Sequence, residues 1–134
     1  MSSTTIVQRQ TKYCQAIEHA LQSLGHATNA TLLANLRATY PDLSATTVHR
    51  ATARLASRGT IAIAPTSHDG AMTYDANTAP HDHFQCLSCD LLRDTDVKDK
   101  IIPILVASID GCNISGQLTI SGMCKQCIIR SQNV

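Results

Sequence analysis

Apolar and polar positions along this chain follow two periods, and the period changes where the elements change. Residues 11–24 place Tyr13, Ala16, Ile17, Ala20, Leu21 and Leu24 at helical spacing. Gly25-His26 predicts the end of that helix. Thr28 or Asn29 then caps a second, short helix through Leu32, Leu33 and Leu36, which stops before Pro41. A third helix is expected from Ala45 to Arg58, capped by Ser44 and closed by Gly59. The period then shortens to two. Thr60–Pro65 alternates as a strand, Ser67-His68-Asp69-Gly70 supplies turn chemistry, and Ala71–Asp75 returns as a second strand. Three helices followed by a β-hairpin is the order of a winged helix-turn-helix.

Ala76–Pro80 is small, polar and proline-ended, and a domain boundary is expected there, dividing residues 1–79 from residues 80–134. The second part is poorer in helix. A strand through Phe84–Cys86 and another at Leu91–Thr95 precede a helix over about residues 98–110, which carries Ile101, Ile102, Leu105 and Ile109. Pro103 must sit in its first turn or kink it. Gly111 ends it, and Gln117–Ser121 alternates as a further strand. The fold class is α+β in two small domains.

Composition narrows the chemistry. The 134 residues are 43% hydrophobic but only 3% aromatic, with no Trp, so the cores are built from Leu, Ile, Val and Ala. The formal net charge of +1 does not announce a nucleic-acid partner by itself. No apolar run approaches the roughly 20 residues that span a bilayer, and the first residues lack the apolar stretch of a signal peptide. A cytoplasmic protein with no membrane partner is therefore expected. In a reducing compartment paired cysteines favour metal over disulfides.

Four of the six cysteines form two CxxC pairs, Cys86/Cys89 and Cys124/Cys127, flanking residues 90–123. Two intervening residues let both thiolates of a pair point at one ion, and two such knuckles complete the tetrahedral shell of structural zinc. Cys14 and Cys112 lie outside the pairs and are expected to be small buried hydrophobes. Just upstream, His81-Asp82-His83 offers ligands of another kind. A closed sulfur site beside an open nitrogen and oxygen site suggests one metal that holds the fold and a second that is sensed.

The third helix divides into two faces: Val48, Ala51, Thr52 and Leu55 on one, Thr46, Arg50, Ala53, Arg54 and Ser57 on the other. Two arginines among short side chains suit a helix laid in the DNA major groove, where Arg reaches phosphates or guanine edges. A merely solvated face has the same pattern; the two helices before it and the hairpin after it favour DNA.

Taken together, these residues resemble the ferric uptake regulator family of bacterial metal-dependent repressors. The resemblance is carried by Gly25-His26-Ala27-Thr28, by Leu43-Ser44-Ala45-Thr46-Thr47-Val48-His49-Arg50, by His81-Asp82-His83-Phe84-Gln85-Cys86-Leu87-Ser88-Cys89, and by Gly122-Met123-Cys124-Lys125-Gln126-Cys127. It implies an N-terminal winged helix that binds double-stranded operator DNA and a C-terminal α+β domain that forms a homodimer. It further implies structural Zn(II) on Cys86, Cys89, Cys124 and Cys127. A regulatory Fe(II) or Mn(II), with Zn(II) as an alternative, would bind His26, Asp75, His81, His83 and Asp94. Asp96 competes with Asp94 for the last place, and Asp82 is left as a candidate only for a second, weaker site. Thr46, Thr47, His49, Arg50 and Arg54 would face the DNA. By itself His26 reads as a helix-terminal residue; only the resemblance makes it a ligand.

Three departures from the family pattern stand out. His49 occupies a position where the family usually has Tyr. The usual proline near the start of the first helix is missing around Val7–Lys12. The His needed for an additional C-terminal metal site aligns near Gly116. Two Asp rather than Glu carboxylates resemble the peroxide-sensing branch, and no Cys just precedes the His pair as in zinc-uptake regulators. An enzyme is not expected, because a zinc deaminase needs an open zinc position and a nearby Glu that the His81-Asp82-His83 motif lacks. A zinc-ribbon interaction module would account for the cysteines but not for the helices and hairpin before them.

Overall fold

The helical period of the first segment extends beyond its apolar positions: α1 spans Ser2–Leu24, followed by α2 (Asn29–Leu36) and α3 (Ala45–Ser57). The computed structural model describes residues 2–133, with side chains from residue 12 onward. Most of the Val7–Lys12 stretch therefore lies outside the described side chains. The predicted caps form: Thr28 Oγ1 accepts from the Thr31 amide at 3.3 Å, and Ser44 Oγ from the Thr47 amide at 3.1 Å. Each satisfies a donor that the first helical turn leaves over. Ile17 and Leu21 of α1, Leu32 and Leu36 of α2, and Val48, Ala51 and Leu55 of α3 meet in one buried core.

The hairpin forms as β2 (Ala62–Ala64) and β3 (Thr73–Asp75), joined through a turn in which Asp69 accepts from Ser67 Oγ and the Ala71 amide. The sequence reading missed a third strand. β1 (His26–Thr28) pairs antiparallel with β3, so the sheet order is β1-β3-β2. Gly25 turns the chain out of α1 with φ +82°, and its carbonyl accepts from the Ala76 amide at 3.0 Å. Three residues without alternation are no strand signal; β1 forms because β3 offers it an open edge.

The chain divides into two compact units, Met1–Thr78 and Ala79–Val134. In the second, β4 (Asp82–Cys86) is central, antiparallel to β5 (Leu92–Thr95) and parallel to β6 (Thr119–Gly122). α4 (Lys98–Ser108) crosses between β5 and β6, with Pro103 inside the helix rather than in its first turn. α5 (Lys125–Gln132), absent from the sequence reading, begins directly after Cys124.

The two units are stabilised differently. Among the described residues, the buried hydrophobic cluster of the second unit is Cys86, Cys124 and Cys127, with Phe84 packed against it. No residue of α4 is fully buried, and Ile104, Ile109, Ile120, Ile128 and Ile129 are exposed. Cys14 is buried as expected, but Cys112 is exposed in the turn after α4 and does not belong to a core. Among the described residues no helix is long and apolar enough to cross a membrane.

Leu32 is fully buried between α1 and α3. Leu32→Ala is therefore expected to lower the unfolding free energy of the first unit by about 2–5 kcal/mol, read from the urea midpoint at unchanged slope.

Candidate metal centres

The parallel pairing of β4 with β6 sets Cys86 opposite Gly122, so both CxxC knuckles emerge at the same end of neighbouring strands. The Leu87 amide closes the junction by donating to the Gly122 carbonyl at 2.8 Å. Cys86 Sγ lies 3.8 Å from Cys127 Sγ, and Cys89 Sγ lies 3.8 Å from Cys124 Sγ. All four sulfurs fall within 4.8 Å of one another. A disulfide is about 2.05 Å long, so these are separate thiols. A tetrahedral zinc with bonds of about 2.3 Å has sulfur–sulfur edges of about 3.8 Å. The donor set and the spacing both fit that ion.

Electrostatics prepare this set for a cation. The Cys124 amide donates to Cys86 Sγ at 3.3 Å and, against the opposing effect of burial, holds the Cys86 thiol down at about 6. Cys127 goes the other way: a Ser88 bond favours its thiolate, but Cys124, burial, Cys89 and Cys86 together push it up to about 12. Four thiolates without a cation repel one another, so the last proton is retained. A bound Zn(II) would supply the positive charge that lets every sulfur ionise.

A second group of ligand types is built by cross-strand register in each unit separately. In the first unit, His26 begins β1, Asp75 ends β3, and the two are register partners. His26 Nε2 is 3.3 Å from Asp75 Oδ2, while Asp75 Oδ1 accepts from the Asn77 amide at 2.9 Å. In the second unit, His83 of β4 is the register partner of Asp94 of β5. Asp94 Oδ1 lies 3.5 Å from His83 Nε2 and 3.3 Å from His81 Nε2. His81 Nδ1 donates to the Ala79 carbonyl at 2.6 Å, and since a carbonyl can only accept, the neutral ring keeps its lone pair on Nε2.

These nitrogen–oxygen separations exceed the about 2.7–2.9 Å of a charge-assisted hydrogen bond. They match the edges of a coordination shell: bonds of about 2.1 Å give tetrahedral edges of about 3.4 Å. Each half thus fits part of the shell of a nitrogen- and oxygen-ligated divalent ion. Asp96 lies beyond the end of β5 and lines a cleft with His81, Asp82, Lys98 and Gly116, whereas Asp94 is the carboxylate that lies within 3.5 Å of both histidines.

Asp82 is buried and both its oxygens are committed to the backbone. Oδ1 accepts from the Leu118 amide at 2.9 Å, and Oδ2 accepts from the Lys98 amide at 3.2 Å. It therefore caps α4 from a distance, where Val97 makes no side-chain cap. Lys98 Nζ donates to the carbonyl of Gly116 at 2.6 Å, the position where an additional site would need a His. The weaker second site considered for Asp82 does not fit this arrangement.

On α3, Val48, Ala51, Thr52 and Leu55 are buried while Thr46, His49, Arg50, Ala53 and Ser57 are exposed; Thr47 and Arg54 are intermediate. Thr47 is partly committed to its own helix, its hydroxyl lying 2.9 Å from Ser44 Oγ. Sequence reasoning treated Asn29 only as a candidate cap. Its side chain instead reaches α3, between Thr52 and His49.

Removing zinc with a chelator is expected to abolish amide protection across 79–134 while residues of α1, α2 and α3 keep theirs, as read by hydrogen exchange. Persistent protection in 79–134 would show that the thiolate core is dispensable. Since Cys127 holds its proton up to about 12, zinc must displace protons. Zinc affinity is accordingly expected to fall as pH is lowered, with proton release measured by calorimetry in buffers of different ionisation enthalpy.

Comparison with known proteins completes the assignment. The profile of the Ferric uptake regulator family matches residues 6–109. No curated protein sequence matches. Among solved structures, the Helicobacter pylori ferric uptake regulator, described as having three functional metal-binding sites, is similar at 22% identity and a TM-score of 0.70, covering 87% of this chain and 80% of its own. The Campylobacter jejuni peroxide stress regulator is similar at 20% identity and a TM-score of 0.72, covering 94% and 96%. FurB of M. tuberculosis, a zinc uptake regulator, is similar at 25% identity and a TM-score of 0.53, covering 95% and 99%. With its family profile over most of its length, two CxxC knuckles closing on one tetrahedron and a three-helix winged unit before them, the chain belongs to the ferric uptake regulator family of metal-responsive transcription regulators.

Proposed function

We propose that this protein is a dimeric repressor that binds operator DNA when a divalent ion joins its two half-sites. The observation that carries the proposal is the pair of register-built half-sites: His26 with Asp75 in one unit, and His81 and His83 with Asp94 in the other. Neither half alone offers the four to six ligands that Fe(II), Mn(II) or Zn(II) takes. An ion bound by both would couple metal occupancy to the arrangement of two units joined near Thr78. Its effect on that arrangement is bounded by its differential affinity for the closed form.

Each other part has a role in the proposal. Cys86, Cys89, Cys124 and Cys127 hold structural zinc and keep the second unit folded. Exposed Ile104 of α4, Ile109 just after it and Ile120 of β6 supply the homodimer surface, since exposed apolar side chains on so small a unit favour a partner. Thr46, His49, Arg50 and Arg54 on α3 meet the major groove, with Thr47 at its edge. Imidazoles with two carboxylates suit Fe(II) or Mn(II), and the Asp pair resembles the peroxide-sensing branch.

Protein that retains its zinc is the material for the test. Anaerobic titration with Fe(II), Mn(II) or Zn(II) against a palindromic AT-rich operator is expected to show metal-dependent gel shifts for Fe(II) or Mn(II). His83→Ala should weaken this response beyond the about 10–100-fold that loss of an outer partner costs, with zinc content unchanged. Binding that ignores a chelator acting on the second ion would overturn the sensing role. Response to Zn(II) alone would assign the zinc-uptake branch. After peroxide, an iron-dependent gain of one oxygen atom on His26 or His81 by mass spectrometry would assign the peroxide branch.

A further inference from the structure

α3 and α2 are connected by three polar side chains. Thr52, fully buried in α3, donates its hydroxyl proton to Asn29 Oδ1 at 2.8 Å. This is shorter than the 3.1 Å separating the same hydroxyl from the Val48 and His49 carbonyls. Asn29 is the first residue of α2, and its Nδ2 lies 3.4 Å from His49 Nδ1. The amide is thereby oriented: with its oxygen accepting from Thr52, its nitrogen turns toward the histidine.

An NH₂ group has only protons to give, so a neutral imidazole facing it must offer Nδ1 as a bare acceptor. The ring proton then resides on Nε2, across the ring from Asn29. His49 is exposed on the face that carries Thr46 and Arg50. In its neutral form it would present an N–H donor outward, and a donor discriminates. It bonds guanine N7 or O6, adenine N7, thymine O4 or a phosphate oxygen, but not the amino groups of adenine N6 or cytosine N4.

We propose that Asn29, oriented by Thr52, is a positioning residue for DNA recognition that fixes His49 as the Nε2–H tautomer and so makes it a donor to an acceptor of the operator. This rests on the reading that α3 enters the major groove. The recognition chemistry is written in the Thr52–Asn29–His49 relay, and Asn29 need not touch DNA to set it. Asn29→Asp supplies a sharp variant. The carboxylate still accepts from Thr52 but only accepts from His49 as well, so the proton moves to Nδ1 and Nε2 becomes an outward acceptor. An Asp in the first turn of α2 is compatible with the helix dipole, so the fold should survive.

The tautomer can be measured without DNA. Imidazole ¹⁵N shifts of zinc-loaded protein, taken at about pH 8.5 where histidine is ordinarily neutral, are expected to show Nε2–H for wild-type His49 and Nδ1–H for Asn29→Asp. Thr52→Val, which removes the orienting proton at nearly constant shape, should give a mixture. A wild-type Nδ1–H signal, or a wild-type mixture unchanged by these substitutions, would overturn the relay.

The recognition half is read by selection from a randomised operator with metal present. Asn29→Asp is expected to shift preference at one position per half-site, from an acceptor-bearing base to an amino-bearing one, by on the order of tenfold. A uniform loss of affinity at unchanged base preference, accompanied by sensitivity to a methylphosphonate at one site, would assign the acceptor to phosphate. An unchanged profile for both Asn29→Asp and His49→Ala would overturn any role of His49 in DNA binding. If wild-type protein selects no sequence with any metal, the repressor reading itself fails, while the shift measurement still decides the relay.

Discussion

Four sulfur atoms within reach of one ion are the constraint on which the second half of this molecule depends. An α+β unit this small, with an α-helix that buries none of its residues fully, cannot derive its stability from apolar burial. Its buried hydrophobic cluster is Cys86, Cys124 and Cys127, and the geometry of the four sulfurs follows from strand pairing. The parallel register of β4 and β6 aligns Cys86 with Gly122 and delivers both knuckles to one end of the sheet. The same β4 carries His83, three residues before Cys86 on the strand. A metal that rigidifies the knuckles would therefore also fix the strand that carries His83.

Cross-strand register recurs as the device that assembles chemistry. In the first unit it pairs His26 with Asp75; in the second it pairs His83 with Asp94. In both, a buried polar residue is set beside a partner at coordination-edge distance. Buried carboxylates and imidazoles are costly unless they are satisfied. Asp75 and Asp82 illustrate two ways of meeting that cost. Asp75 divides its oxygens between the Asn77 amide and His26, remaining available as a ligand. Asp82 commits both oxygens to backbone amides.

Much of this was legible from local pattern. The buried face of α3 followed from period alone, the Ser44 cap and the hairpin after Gly59 followed from residue type and spacing, and the structure selects Thr28 over Asn29 as the cap of α2. The CxxC spacing grouped the four cysteines whose sulfurs the structure brings within reach of one ion. β1 and α5 were not legible. His26-Ala27-Thr28 carries no alternation, and becomes a strand only against the edge of β3. α5 follows a CxxC whose second cysteine sits in its first turn, so the ligand motif obscured the helix signal. Cys112 was misread because a cysteine's burial depends on what packs over its turn, and nothing in the neighbouring sequence specifies that.

The sequence by itself determined the ligand types, their grouping into a sulfur set and a nitrogen and oxygen set, and the faces of the helices. These depend on residue chemistry and short-range periodicity, which the linear order carries directly. Tertiary structure alone decided which residues meet. Asp94 rather than Asp96 faces His81 and His83, because the antiparallel register selects one partner along β5. Asn29 reaches His49 and Thr52 because α2 packs against α3, bringing together side chains twenty and more positions apart. Register and helix packing are long-range outcomes of burying a shared core, and they convert a set of candidate ligands and donors into particular pairs.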